Sequence, residues 1–245
     1  MLKLMIVGAT STIAHETARN FAADGAHMFL VARNNAKLDA VAADLRARGA
    51  AQVVCTTLDM NDFGQHANLW QQATDALEGL DVLLVAHGTL PDQTLAQQDW
   101  ESTRQVLDTN FLSTASLLTI AANHFEQQKR GVIAVISSVA GDRGRGSNYI
   151  YGTAQAAKTT FLSGLRNRLA KSGVQVITIK PGFVDTPMTQ DVPKNALFAS
   201  PSKVGQDIYQ AMKSGKSVIY TPFYWRYIMM MIRAVPEAIF KRLNL

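Results

Sequence analysis

Cysteine is almost missing from this chain: Cys55 is the only one in 245 residues. A lone thiol forms neither an internal disulfide nor a cysteine-rich metal site, so no metal is expected. Proline and serine do not gather into a linker, and no block of one charge breaks the chain. One domain is therefore expected over residues 1–222, followed by a segment of different composition over 223–245. The apolar part of the opening MLKLMIVGATS is too short for a signal peptide, which makes the cytoplasm the expected location. Acidic residues are in deficit, 19 against 24 Lys and Arg, for a formal charge of +5. The basic residues are scattered through most of the chain rather than striped, and no nucleic-acid partner is expected from them. A chain this long buries roughly 70 to 75% of its unfolded surface, enough to hold a core without cross-links.

What the chain does contain is an alternation. Largely apolar runs at 2–7, 27–32, 52–58, 81–86, 132–136, 174–179 and 217–220 suit strands covered on both faces. Between them lie helical patterns, among them 36–48, 99–128 and 201–212. Strand and helix in this order predict a three-layer α/β fold, a doubly wound parallel sheet with helices on both faces.

The stretch 131–158, GVIAVISSVAGDRGRGSNYIYGTAQAAK, holds the candidate chemistry. Its apolar run ends at Ser137 and Ser138, and in open α/β sheets the ligand crevice lies outside the carboxyl ends of the strands. A helix opening on Tyr151 follows Ser138 by thirteen residues, and Asn110 precedes Ser138 by twenty-eight. Asn110 is a polar residue inside an apolar helical pattern that includes Trp100, Val106, Leu107, Phe111, Leu117 and Leu118.

The first strand runs into GATSTIA over 8–14, and Thr10 or Ser11 caps the helix that follows. Such a turn presents unpaired backbone N–H groups and a helix dipole to a pyrophosphate, with Gly8, Thr10, Ser11, Thr12 and Ile13 closest to it. The second strand ends at Arg33, where an acidic residue would hold the ribose hydroxyl of NAD(H) and an arginine pairs with the 2′-phosphate of NADP(H). NADP(H) is therefore expected over NAD(H). The third strand ends at Asp59, which also suits an N-cap. After the fourth come His87 and Gly88. A histidine bonded to backbone is the plainer reading of His87 than an acid or base.

The spacing of Asn110, Ser138 and Tyr151 resembles the short-chain dehydrogenase/reductase family, with a Rossmann-like fold. The resemblance implies an active site of Asn, Ser, Tyr and Lys, and the lysine position of Tyr-x-x-x-Lys holds Gln155. It also implies that Asp59 meets the adenine ring and that Gly88 belongs to the turn beside the adenosine. The segment Pro181, Gly182, Phe183, Val184, Asp185, Thr186 matches the family's Pro-Gly turn. There the backbone at Val184 meets the nicotinamide carboxamide and the Thr186 hydroxyl bonds phosphate or carboxamide. Residues 187–200 are expected to form a substrate lid. The three-glycine fingerprint of the family is reduced to Gly8, with Thr12 and Ala14 at the other two positions.

The resemblance implies reduction of a small-molecule carbonyl, with Tyr151 as acid and Ser138 holding the oxygen, in a homo-oligomer. Without the lysine charge the tyrosine is expected to be a weaker acid. Lys158 shares the face of Tyr151 but lies roughly 10 Å further along the helix axis, too far without a water chain; Arg143 and Arg145 are the other cations at hand. The rival from another class is a cofactor-binding protein without turnover, acting as a sensor or scaffold. The closing PFYWRYIMMMIRAVPEAIFKRLNL is too interrupted by Arg226, Arg233 and Pro236 to span a bilayer. It suits either a peripheral contact with the inner face of a membrane or a cover over the cleft or a partner subunit. Together with GATS and YGTAQ it resembles the branch of the family that reduces keto sugars on a lipid carrier.

Overall fold

The computed structural model describes residues 1–243. Its order is β1 (Lys3–Val7), α1 (Thr12–Ala23), β2 (His27–Ala32), α2 (Asn35–Ala47), β3 (Gln52–Thr57), α3 (His66–Leu77) and β4 (Val82–Val85). There follow α4 (Gln93–Ala96), α5 (Trp100–Leu107), α6 (Ser113–Gln128), β5 (Gly131–Ile136), α7 (Tyr149–Leu169) and β6 (Val174–Pro181). The chain closes with α8 (Pro201–Ser214), β7 (Val218–Thr221), α9 (Trp225–Ala234) and α10 (Glu237–Phe240). The seven strands form one parallel sheet in the order β3-β2-β1-β4-β5-β6-β7.

Period-two alternation feeds two cores from the same strands. Leu4 and Ile6 of β1, with Met28 and Leu30 of β2, pack under α1, α2 and α8. Met5, Val7, Phe29 and Val31 point the other way, against α3, α6 and α7. Both faces being covered is why these strands read as unbroken apolar runs. The order reverses between β1 and β4, and such a switch point opens a crevice at the carboxyl ends of the strands.

Three sequence expectations change in detail. The helix expected over 99–128 is broken: α5 and α6 are joined by a π-helical turn, Asp108–Leu112, that contains Asn110. Trp100, read as part of the apolar stripe, is 69% exposed. Asp59 caps a turn by accepting from the Asn61 N–H at 3.0 Å, while α3 starts later, at His66.

Candidate active site

A cavity of about 600 Å³ lies along the carboxyl ends of the strands. All sixteen residues expected from the sequence to serve chemistry or cofactor line it. At one end the chain turns from β1 into α1 at Gly8. Its φ is +80°, and a Cβ there would lie 2.5 Å from the His87 nitrogen, so glycine is required both by conformation and by the close approach of the β4 turn. Ser11 precedes α1 in extended conformation and its side chain makes no capping bond. The first-turn N–H groups of the helix, near Thr12 and Ile13, are therefore left to a ligand. Arg33 follows β2 with its side chain 73% exposed and 3.8 Å from Asp59. Lys37, from the first turn of α2, lines the same end.

At the other end, Ser137 and Ser138 divide the work at the tip of β5. Ser137 is buried and its hydroxyl bridges to the Gln155 carbonyl at 3.1 Å and to Thr159 at 3.0 Å, tying strand to α7. Ser138 faces the cavity, its hydroxyl accepting from the Ala140 N–H at 3.1 Å. Asn110 is fully buried and is spent on shape: it donates to the carbonyls of Thr89 and Val106, each at 3.0 Å, and accepts from the Thr89 N–H at 2.9 Å. The π-turn gives its side chain the carbonyl four residues back, and the bonds to Thr89 clamp the loop after β4. Gly88 is held to glycine by this clamp, because a Cβ would come within 2.6 Å of the Asn110 Oδ1.

Tyr151, Gln155 and Lys158 stand at i, i+4 and i+7 on α7 and all line the cavity. Burial pushes the Tyr151 hydroxyl above the ordinary tyrosine value, opposed by hydrogen bonding to Ser138 and Gln155. Gln155 is buried, and its Oε1 has no partner. Lys158, judged by axial rise to be out of reach, does enter the cavity. Helical side chains lean toward the N-terminus, and its Nζ donates to the Ile136 carbonyl at 3.2 Å, two residues before Ser138. Burial pushes its ammonium down to about 7. Of the two loop arginines, Arg145 lines the cavity and Arg143 turns away from it to the C-terminal segment. His87 is bonded through Nε2 to the Ser113 hydroxyl at 2.7 Å rather than to backbone. Burial pushes it down to about 3, leaving it neutral at physiological pH.

The Pro181-Gly182 turn ends β6. A Cβ at Gly182 would sit 1.9 Å from Trp225, so the flat ring this turn admits here is an indole from the C-terminal segment. Val184 pairs in a bridge with Ala199, and Thr186 caps the short turn Pro187–Thr189. Pro187, Met188, Thr189 and Val192 complete the wall. Trp225 and Met229 are buried with Val139, while Phe223, Tyr227, Met230 and Met231 are exposed on the outer side. Sequence reasoning left Trp225 unassigned, since an aromatic-rich tail does not say which aromatic turns inward.

A parallel sheet thus reverses beside a glycine turn, with a serine and a tyrosine facing one cavity. The model of the short chain dehydrogenase family matches residues 3–197. An uncharacterized oxidoreductase of Mycobacterium tuberculosis is 35% identical over 240 residues, covering 98% of this chain and 96% of its own length. A second, from Streptomyces coelicolor, is 30% identical over 244 residues, covering 98% and 95%. A solved structure of a short chain dehydrogenase/reductase family protein superposes with a TM-score of 0.79 at 26% identity, over 89% of this chain and 94% of that one. The chain belongs to the short-chain dehydrogenase/reductase family.

Membership implies a nicotinamide cofactor, and the residues present fit one. Gly8 turns the chain tightly against the end of β4, the first turn of α1 beyond it is uncapped by Ser11, and the buried Gln155 Oε1 is owed a donor. No helix among the described residues is long and apolar enough to cross a membrane.

Proposed function

We propose that the protein is an NADP(H)-dependent reductase that turns a carbonyl compound into an alcohol. One observation carries the reading: Ser138, Tyr151 and Gln155 line one end of a cavity whose other end offers Arg33 and Lys37. Arg33 would hold the 2′-phosphate, with Asp59 and Gly88 beside the adenosine. Gly8, Thr10, Ser11, Thr12 and Ile13 would take the pyrophosphate, and Pro181, Gly182, Val184 and Thr186 the nicotinamide end. The bound nicotinamide supplies hydride to the carbonyl carbon.

The protein's part is to hold the oxygen and deliver a proton. The Ser138 hydroxyl donates to the carbonyl oxygen, and Tyr151 gives up its phenolic proton as the alkoxide develops. Burial keeps Tyr151 protonated and so in the state that can give a proton. Asn110 acts from behind, fixing the loop at Gly88 and Thr89. Residues 187–200 would order over the substrate and exclude water.

The substrate class that suits the C-terminal segment is a polar keto sugar on a lipid carrier. The exposed Phe223 just before α9 and Tyr227, Met230 and Met231 on it, with Arg226 and Arg233 alongside in the chain, support a peripheral contact between residues 223–245 and the inner face of a membrane. Assembly of the 1–222 domain into a homo-oligomer has support in the exposed Leu95, Trp100 and Leu112. Fluorescence titration with NADPH and NADH comes first. Tight NADPH and weak NADH binding, then turnover with a keto sugar, is the expected result; binding of neither removes the reading. Gln155 favours the second reading, a cofactor-binding protein without turnover, which predicts NADPH binding with no reduction of any keto sugar.

A further inference from the structure

This inference rests on the reductase reading and concerns how its acid is tuned. Lys158 is 1% exposed, and its ammonium makes one hydrogen bond, to the Ile136 carbonyl. The titratable and charged groups that line the same cavity are Tyr151 on its own helix, His87 from the turn after β4 with His66 of α3 behind it, Arg145 from the loop before α7 and, at the far end, Arg33 and Lys37. None of these is an anion. The one carboxylate among the described residues lining the cavity is Asp59, which lies beside Arg33.

A buried ammonium without a counter-charge is costly, and a methionine would fill the same space more cheaply. Two further bonding positions on the Lys158 nitrogen face no protein partner. Gln155, three residues earlier on the same face of α7, has a buried carbonyl oxygen with no donor, while its side chain reaches Tyr151. A donor with one partner, an acceptor with none and the proton-giving hydroxyl thus share one face of α7 at i+7, i+4 and i.

We propose that Lys158 is the positioning cation for Tyr151, acting through Gln155. The Gln155 amide N–H donates toward the tyrosine oxygen, and its unpaired carbonyl oxygen is left for the ammonium. A positive charge behind the carboxamide polarises it and strengthens that donation. When Tyr151 passes its proton to the alkoxide oxygen it is left anionic, and the positive charge two turns along offsets the anion. The charge missing from position 155 is supplied from 158.

The test replaces Tyr151 by a fluorinated tyrosine whose phenol ionises near neutrality and follows its midpoint by fluorine NMR in the ligand-free protein. Lys158→Met is expected to raise that midpoint by about one unit or more. Gln155→Leu, with Lys158 intact, is expected to raise it too, and Arg145→Gln to leave it in place. An unmoved midpoint in Lys158→Met overturns the proposal, as does a shift seen only in Arg145→Gln. Lys158→Met loses a buried charge, and circular dichroism checks its fold; Gln155→Leu keeps the proposal open to refutation if that variant fails. The readout needs neither cofactor nor substrate. A shifted midpoint in a protein that reduces no carbonyl would sink the reductase reading and leave the electrostatic link standing.

Discussion

Each end of the cavity carries positive charge, and the two charges live in opposite surroundings. Arg33 is a largely exposed guanidinium at a strand end with Asp59 nearby, so holding it in place costs little and leaves its fork free for a phosphate. Lys158 is sealed between α7 and β5 with one carbonyl for company, and its charge weighs against the fold. The first kind of charge recognises; the second acts on neighbouring groups at short range through low dielectric. The same net charge does different work according to what it has been taken out of.

The largest expected effect tests whether the sealed end is the chemical end. Tyr151→Phe removes the proton donor there, and steady-state rates of carbonyl reduction are expected to fall by about 10²- to 10⁴-fold with NADPH affinity unchanged. Next comes the cost of the buried charge itself. The folded-state value of Lys158 near 7 lies below the ordinary lysine value of about 10.4. Between those values the unfolded chain holds the extra proton, so this group makes stability rise with pH across that window, and its full penalty is present below it. Urea unfolding at about pH 6 and pH 9 should show Lys158→Met losing that rise. At the lower pH the variant is expected to be more stable by about 1–4 kcal/mol. Equal pH dependence in the two proteins would break the contrast between the cavity's ends.

The exposed end predicts smaller numbers. Arg33→Ala is expected to weaken NADPH binding about tenfold, about 1.4 kcal/mol, while NADH binding holds. Titration with both nucleotides reads this directly, and equal losses for the two would remove the phosphate role. Lys37→Ala, one turn away and equally solvated, is expected to cost NADPH affinity no more than about fivefold, the range of an exposed ion pair. A larger loss there than at Arg33 would reassign the phosphate contact to the lysine.

The strands were legible because two-sided burial writes itself as unbroken apolar text, as in residues 4–7 and 82–85. The site was legible wherever a turn was punctuated, at Gly8, at Ser138 after β5 and at Pro181-Gly182. What escaped was set by side-chain direction and by tertiary pairing. Axial rise measures where the Cα of Lys158 lies, not where a four-carbon stem leaning back along the helix ends. The apolar spacing over 99–128 reads as one helix, and the polar Asn110 inside it is the one mark of the π-turn, whose clasp on Thr89 joins residues far apart in sequence. The tail offered two readings, membrane or cleft. α9 has both a buried face on Val139 and an exposed apolar face.

Arg143 joins these regions mechanically. Its guanidinium donates to the carbonyls of Ile232 and Val235, each at 2.6 Å, meets Glu237 at 2.9 Å and lies 3.5 Å over the ring of Phe240. It belongs to the short loop between Ser138 and Tyr151, two residues from Arg145 on the cavity wall. Residues 232–240 of the C-terminal segment are thus buttoned to the stretch of chain between serine and tyrosine. One guanidinium ties the stretch 232–240, just beyond the buried Trp225 and Met229, to the loop between the two hydroxyls.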